Sequence, residues 1–371
     1  MENENIPINQ ILNNKNIVEC LNTKIYSEFP ELLIDKFSNY ESNFHNFLKV
    51  LSIPIFFNKN EEINESFKNP IELFNDFLKD YIELIDSSKN SEFSTYFNSI
   101  VSDNTINQES ELEIKLNTGS HYGNLFKEFN LDQFLEAKNL LETRLSRNNI
   151  DINLIKNKKI LDQGCGGGRY TVALKLLGAK ECYGVDYSEE GIADANHKMK
   201  VLNLENIKFI KNDVLSLEFD DNSFDFVFSN GVLHHTSNWQ KGISELMRVL
   251  KPGGSGFLYL IENPGGLFWD SIEILRAINK KINKIYARNV MKSLNIPSNK
   301  IFYMLDHVLV PINTRLTELQ IKDELMKNGA TNILRLNRGV DFDRVEKLFN
   351  KIPYGKEKFG IGENRFIFSK N

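Results

Sequence analysis

The chain has 371 residues, 41% hydrophobic and 26% charged, with a formal net charge of −5. That length suits two or three structural units with a sizeable core, and the acidic balance argues against general affinity for nucleic-acid phosphates. No apolar run is long enough to mark a membrane span.

The opening MENENIPINQ lacks the basic and apolar regions of a secretory signal. Cys20, Cys165 and Cys182 share neither metal-ligand nor disulfide-framework spacing, so a cytoplasmic protein without a metal site is expected. The first section, about residues 1–117, has helical periodicity and few glycines. PELLIDKFSNYESNFHNFLKVL (Pro30–Leu51) and PIELFNDFLKDYIELI (Pro70–Ile85) repeat apolar residues at three- and four-residue spacing, and Pro70 suits a first helical turn. The polar VSDNTINQES (Val101–Ser110) reads as loop. This section is expected to be a helical accessory domain, serving packing, homodimer formation or the shaping of a substrate site.

From residue 118 the texture changes: KKILDQG, ECYGVD, IKFIKND, FDFVFSN and GFLYLIE alternate with helical runs, the pattern of βαβ units and a parallel sheet. TNILRLN and NRFIFSK follow as two further strands, with DFDRVEKLFNKI between them. A long connection, 264–316, separates the fifth strand from the helix that begins near Thr317. It far exceeds the usual ~2–6 residues. Because open α/β sheets bind ligands beyond the carboxyl ends of their strands, it is read as a roof over that edge. TELQ, Thr317–Gln320, fits a capping box.

The densest motif is ILDQGCGGGRYTVALKLLGAKECYGVD (Ile160–Asp186), a strand, a glycine turn, a helix, and a second strand ending in an acid. Gly164, Gly166, Gly167 and Gly168 let the main chain turn sharply against a ligand, and the following helix directs its first amides at that ligand. Asp186, about 20 residues on, is placed to accept both ribose hydroxyls. A dinucleotide fingerprint would need a third glycine where Arg169 stands. Asp162, just before the turn, is ill placed for a pyrophosphate and well placed for a cation. S-adenosylmethionine has an ammonium, a sulfonium and no phosphate.

With these motifs the sequence resembles the class I S-adenosylmethionine-dependent methyltransferases of the small-molecule, type 11 group, over 118–371 and best over 158–261. The matching residues are LDQGCGGG, GVDYS, IKNDV, FDFVFSNGVLHHTSN and ELMRVLKPGG. The resemblance implies a Rossmann-like, seven-stranded, mostly parallel sheet whose last strand, NRFIFSK, is antiparallel. It implies S-adenosylmethionine as cofactor, leaving S-adenosylhomocysteine. Asp162, Gly164, Cys165 and Gly166 would line the methionine end, Asp186 and Tyr187 the ribose and adenine, Asp213 and Val214 the adenine, and Asn230 the exit of the fourth strand. Tyr122 in TGSHYGNLF would fold over the cofactor.

Methyl transfer to a hydroxyl or ammonium needs a base to take its proton. His235, just past the fourth strand, is the first candidate, and His307 in MLDHVLVPINTR, beside Asp306, the second. His234, Glu262 and Arg315 are candidate substrate contacts, Arg315 for a carboxylate or phosphate. The expected acceptor is a small molecule methylated on O or N. The alternatives are a non-catalytic S-adenosylmethionine-binding protein and methylation of a protein.

Overall fold

The computed structural model describes Tyr26 and residues 28–39, 42–88, 91–100 and 131–371. Among these the first elements are α1 (Phe29–Ser38), α2 (Asn43–Glu65), α3 (Pro70–Ser88), α4 (Glu92–Ile100) and α5 (Leu131–Arg147). The central run is β1 (Lys159–Gln163), α6 (Arg169–Leu176), β2 (Glu181–Asp186), α7 (Glu189–Val201), β3 (Ile207–Lys211), β4 (Phe224–Asn230), α8 (Trp239–Val249) and β5 (Leu250–Leu260). Then come α9 (Gly266–Asn279), α10 (Lys284–Ser293), α11 (Ser298–Leu309), α12 (Glu318–Lys327), β6 (Ala330–Arg335), α13 (Arg344–Phe349), α14 (Gly355–Phe359) and β7 (Asn364–Lys370).

The chain divides into two compact units. One, the helical unit, joins the described N-terminal helices α1–α4 to Gly265–Val310 and Pro353–Gly360. The long connection after β5 thus becomes α9–α11 and packs with the N-terminal helices. The periodic stretch Pro30–Leu51 is two helices, because Ser42 stops the run and caps α2 by accepting the His45 amide at 3.2 Å. Phe56 of α2 packs edge-on against Phe74, Phe77 and Tyr81 of α3. Two buried polar rungs join α2 to α9: Asn60 Nδ2 donates to Ser271 Oγ at 2.6 Å, and Asn279 Nδ2 to Ser52 Oγ at 3.4 Å. Lys358 of α14, almost wholly buried, donates to the Asn64 and Ser66 carbonyls at the end of α2, where helix carbonyls lack intrahelical partners.

The sheet unit holds all seven strands, in the order β3-β2-β1-β4-β5-β7-β6. The pairings from β3 through β5 are parallel, and β7 runs antiparallel to both β5 and β6. ECYGVD, FDFVFSN and NRFIFSK form strands over their whole length. Alternate residues feed two cores: Leu161, Val227 and Leu258 on one face, and Ile160, Phe228 and Phe257 on the other. The Thr317–Gln320 capping box forms at the start of α12.

A buried ion cluster holds α5 and α13 to the sheet. Arg144 clamps Asp343 bidentately at 2.8 and 2.9 Å and donates to the Tyr170 hydroxyl at 3.0 Å. Arg365 of β7 reaches the same carboxylate at 3.0 Å. Burial alone would raise the Asp343 pKa, but the Arg144 hydrogen bonds and the two guanidinium charges hold it down at about 2. The resulting stabilisation is complete above the unfolded value of 3.8 and is lost as the pH falls towards about 2. Asp343→Ala should cost about 3–5 kcal/mol at pH 7, since it strands two buried guanidiniums. Urea unfolding should show the gap to wild type narrowing between pH 4 and pH 2; a gap unchanged across that range removes Asp343 from the stabilising set.

Candidate functional site

The strand order reverses between β1 and β4, so their carboxyl ends frame a crevice at the switch point of the sheet. The glycine turn lies there. Its first amides are held by β2: Gly164 and Cys165 donate to the Val185 carbonyl at 2.8 and 2.9 Å. Gly164 has φ +80°, and a Cβ on it would lie 2.4 Å from Val232 Cγ1. Gly168, at φ +81°, begins α6, and its Cβ would lie 2.6 Å from the Phe209 ring. Only glycine meets both the backbone and the space requirement.

Two carboxylates flank the turn, Asp162 buried and Asp186 half-buried. Asp186 accepts the Gly166 amide on Oδ2 at 2.8 Å and the Ser188 amide on Oδ1 at 2.9 Å. Burial raises its pKa and these hydrogen bonds oppose the rise. Asp162 accepts the Thr171 hydroxyl on Oδ2 at 2.6 Å. Burial pushes its carboxyl up to about 7, with the Asp186 charge adding to the rise and Thr171 opposing it. Burial also pushes the Cys165 thiol up, with both carboxylates adding to the effect, which keeps it unreactive.

The other expected cofactor contacts lie at the same edge. Asp213 Oδ1 accepts the Leu215 amide at 2.9 Å, fixing the bend after β3. Val214 is buried, and its carbonyl accepts Gln163 Nε2 at 2.9 Å. Tyr187 lies beneath the Lys211 ammonium, 5.8 Å from ring centroid to nitrogen. Asn230 ends β4 opposite Tyr259 of β5. Tyr122 lies outside the described residues.

His234 and His235 form a relay. The Ile261 amide donates to His234 Nδ1 at 3.3 Å, and His235 Nδ1 lies 2.8 Å from the Ile312 carbonyl. A carbonyl only accepts, so His235 carries its proton on Nδ1. His234 therefore donates from Nε2 to His235 Nε2, 3.0 Å away. All four ring nitrogens are engaged. Arg315 Nε approaches the Glu262 carbonyl at 3.4 Å, and the fully buried Glu262 carboxylate pairs with Arg344 at 2.9 Å. His307 belongs to the helical unit. Its Nδ1–H donates to the Tyr303 carbonyl at 2.7 Å, and its ring is set by Tyr303 and Trp269, with centroids 4.5 and 5.3 Å away. Sequence reasoning passed over Thr171, Gln163, Tyr259 and Asn313. Thr171, nine residues after Asp162, is the one that the motif could have flagged.

An α/β fold with a carboxylate on each side of its glycine turn is what the sheet unit presents. The methyltransferase domain family matches residues 161–258. Demethylmenaquinone methyltransferase of Staphylococcus aureus (strain MRSA252) is 33% identical over 156 residues, 42% of this chain and 61% of that protein. Its namesake in Staphylococcus epidermidis (strain RP62A) is 39% identical over 105 residues, 28% of this chain and 43% of that protein. The matched part is thus less than two thirds of either relative. Among solved structures, PKMT2 from Rickettsia typhi is 19% identical, with a TM-score of 0.46, over 62% of this chain and 52% of that one. Residues 161–258 are thus similar to a methyltransferase domain. Among the described residues no helix is long and apolar enough to cross a membrane.

The Asp162 environment predicts a trade between stability and ligand binding. Its folded pKa of about 7 exceeds the unfolded 3.8, so its ionisation opposes folding increasingly as the pH rises through that window. Without ligand, Asp162→Asn should therefore be more stable than wild type at pH 8, by at most a few kcal/mol at about 1.4 kcal/mol per unit. The difference should shrink towards pH 4. A variant less stable than wild type at pH 8 would show that the carboxylate is compensated in the fold itself.

Proposed function

We propose that this protein transfers a methyl group from S-adenosylmethionine to a small-molecule acceptor, on an oxygen or a nitrogen. The observation that carries the reading is Asp162, a buried carboxylate beside a glycine turn whose elevated pKa a cationic ligand would reverse. Asp162, Gly164, Cys165 and Gly166 would hold the methionine end. Asp186 would use its remaining acceptor capacity, beyond the backbone amides it already binds, for the ribose hydroxyls. Tyr187, Asp213 and Val214 would enclose the adenine.

When bound, the cofactor supplies an electrophilic methyl on a sulfonium. The protein's part is to hold the acceptor in line with that methyl and to exclude water. His235 Nε2 is the basic nitrogen of its ring but receives the His234 proton, so a base role needs an acceptor hydroxyl to displace His234. The relay more readily positions the segment after Val310. The Staphylococcus relatives, named for demethylmenaquinone, favour a second acceptor type, a quinone-like ring.

Calorimetry on the full chain should show binding of S-adenosylmethionine and S-adenosylhomocysteine but not of NAD. Binding of NAD with no response to either sulfur ligand overturns the reading. Metabolite-dependent formation of S-adenosylhomocysteine separates an enzyme from a cofactor-binding protein. Affinity for S-adenosylmethionine should rise as the pH passes about 7, a slope lost in Asp162→Asn. Asp186→Ala should weaken binding about 10- to 150-fold, the worth of roughly 1.5–3 kcal/mol in hydrogen bonds to a charged group.

A further inference from the structure

We infer that Asn313 binds the methyl acceptor through both ends of its side-chain amide, and that the acceptor carries a hydroxyl conjugated with an adjacent carbonyl. The inference rests on the cofactor reading above. Both amide atoms of Asn313, Nδ2 and Oδ1, are shielded from solvent and have no hydrogen-bond partner. Leaving such groups unpaired is costly, and native proteins keep few of them without a use.

Asn313 cannot relieve this by a small shift, because its neighbours are fixed. The Ile312 carbonyl is bound by His235, and the Thr314 amide donates to the His234 carbonyl at 2.9 Å. Leu316 donates to the Ile261 carbonyl and accepts from the Asn263 amide, each at 2.8 Å. The segment is therefore stitched to the exit of β4 and the end of β5. In the sheet order that is the side of β1 away from β2 and β3, where Asp186 and Asp213 stand. The segment that carries Asn313 thus lies away from the nucleoside end, on the side left for the second ligand.

The amide's chemistry selects that ligand. Nδ2–H needs an acceptor and Oδ1 needs a donor. A carboxylate or phosphate only accepts, and would set an anion against Oδ1. An ammonium only donates. A hydroxyl beside a carbonyl supplies both. The neutral form is the one that the amide binds through both ends, and conjugation makes its hydroxyl acidic enough to give its proton to water at the transfer step without a strong base. That suits an edge where the two histidines spend every ring nitrogen on each other and on the backbone.

The test uses tropolone, a planar ring with adjacent hydroxyl and carbonyl, against tropone, which lacks the hydroxyl. Both are titrated calorimetrically into the full chain saturated with S-adenosylhomocysteine. Wild type should bind tropolone at least about tenfold more tightly than tropone, the worth of one good hydrogen bond. Asn313→Ala should lose that preference while keeping S-adenosylhomocysteine affinity within about twofold. Its thermal midpoint should equal or exceed that of wild type, which a structural role for the amide would not give. Equal affinity for the two probes, no binding of tropolone, or a preference retained in Asn313→Ala overturns the inference. So does an equal loss of S-adenosylhomocysteine binding, which would place Asn313 on the cofactor. Failure of wild type to bind S-adenosylhomocysteine overturns the cofactor reading itself.

Discussion

The Asp186 carboxylate is the interaction on which the site depends. One oxygen holds the Gly166 amide in the turn after β1, and the other holds the Ser188 amide where α7 begins. A single side chain at the end of β2 thereby fixes two backbone segments. The turn it fixes is one that glycine alone can make, because Gly164 and Gly168 combine positive φ with neighbours too close for a Cβ. These charge-assisted hydrogen bonds recover part of the cost of desolvating the carboxylate, whose pKa burial still raises.

Three aspartates in the sheet unit show how surroundings divide function from stability. Asp343 lies between two guanidiniums and is held well below its ordinary pKa. Asp186 is met by backbone amides and rises only against their opposition. Asp162 has only Thr171 for company, and burial carries its carboxyl up to about 7. The first is a structural lock. The last is a buried charge that the fold leaves poorly compensated, the arrangement expected where a cationic ligand supplies the missing partner.

Much of the candidate site was legible because its chemistry is local. The glycine turn, Asp162 and Asp186 lie within 27 residues, Ile160–Asp186, and their spacing reports one strand–turn–helix–strand unit. His234 and His235 could be placed at the sheet edge from the strand that precedes them. Their relay could not, because it is closed by Ile261 and Ile312, and the distant one lies 77 residues away. Asn313 carries no motif at all. Its significance is the absence of a partner in a segment whose neighbours all have one.

Periodicity, capping and backbone freedom act over short spans, which is why the strands of the sheet unit and the helix start at Thr317 could be read from the chain. Tertiary structure alone decided the rest. It put β7 between β5 and β6, and it drew α9–α11 into the same unit as the N-terminal helices. It also joined Arg144 to Asp343 across 199 residues and Asn60 to Ser271 across 211. Pairings of that range are chosen by which buried polar groups satisfy one another once the apolar faces have closed, and no local pattern in the chain encodes that choice.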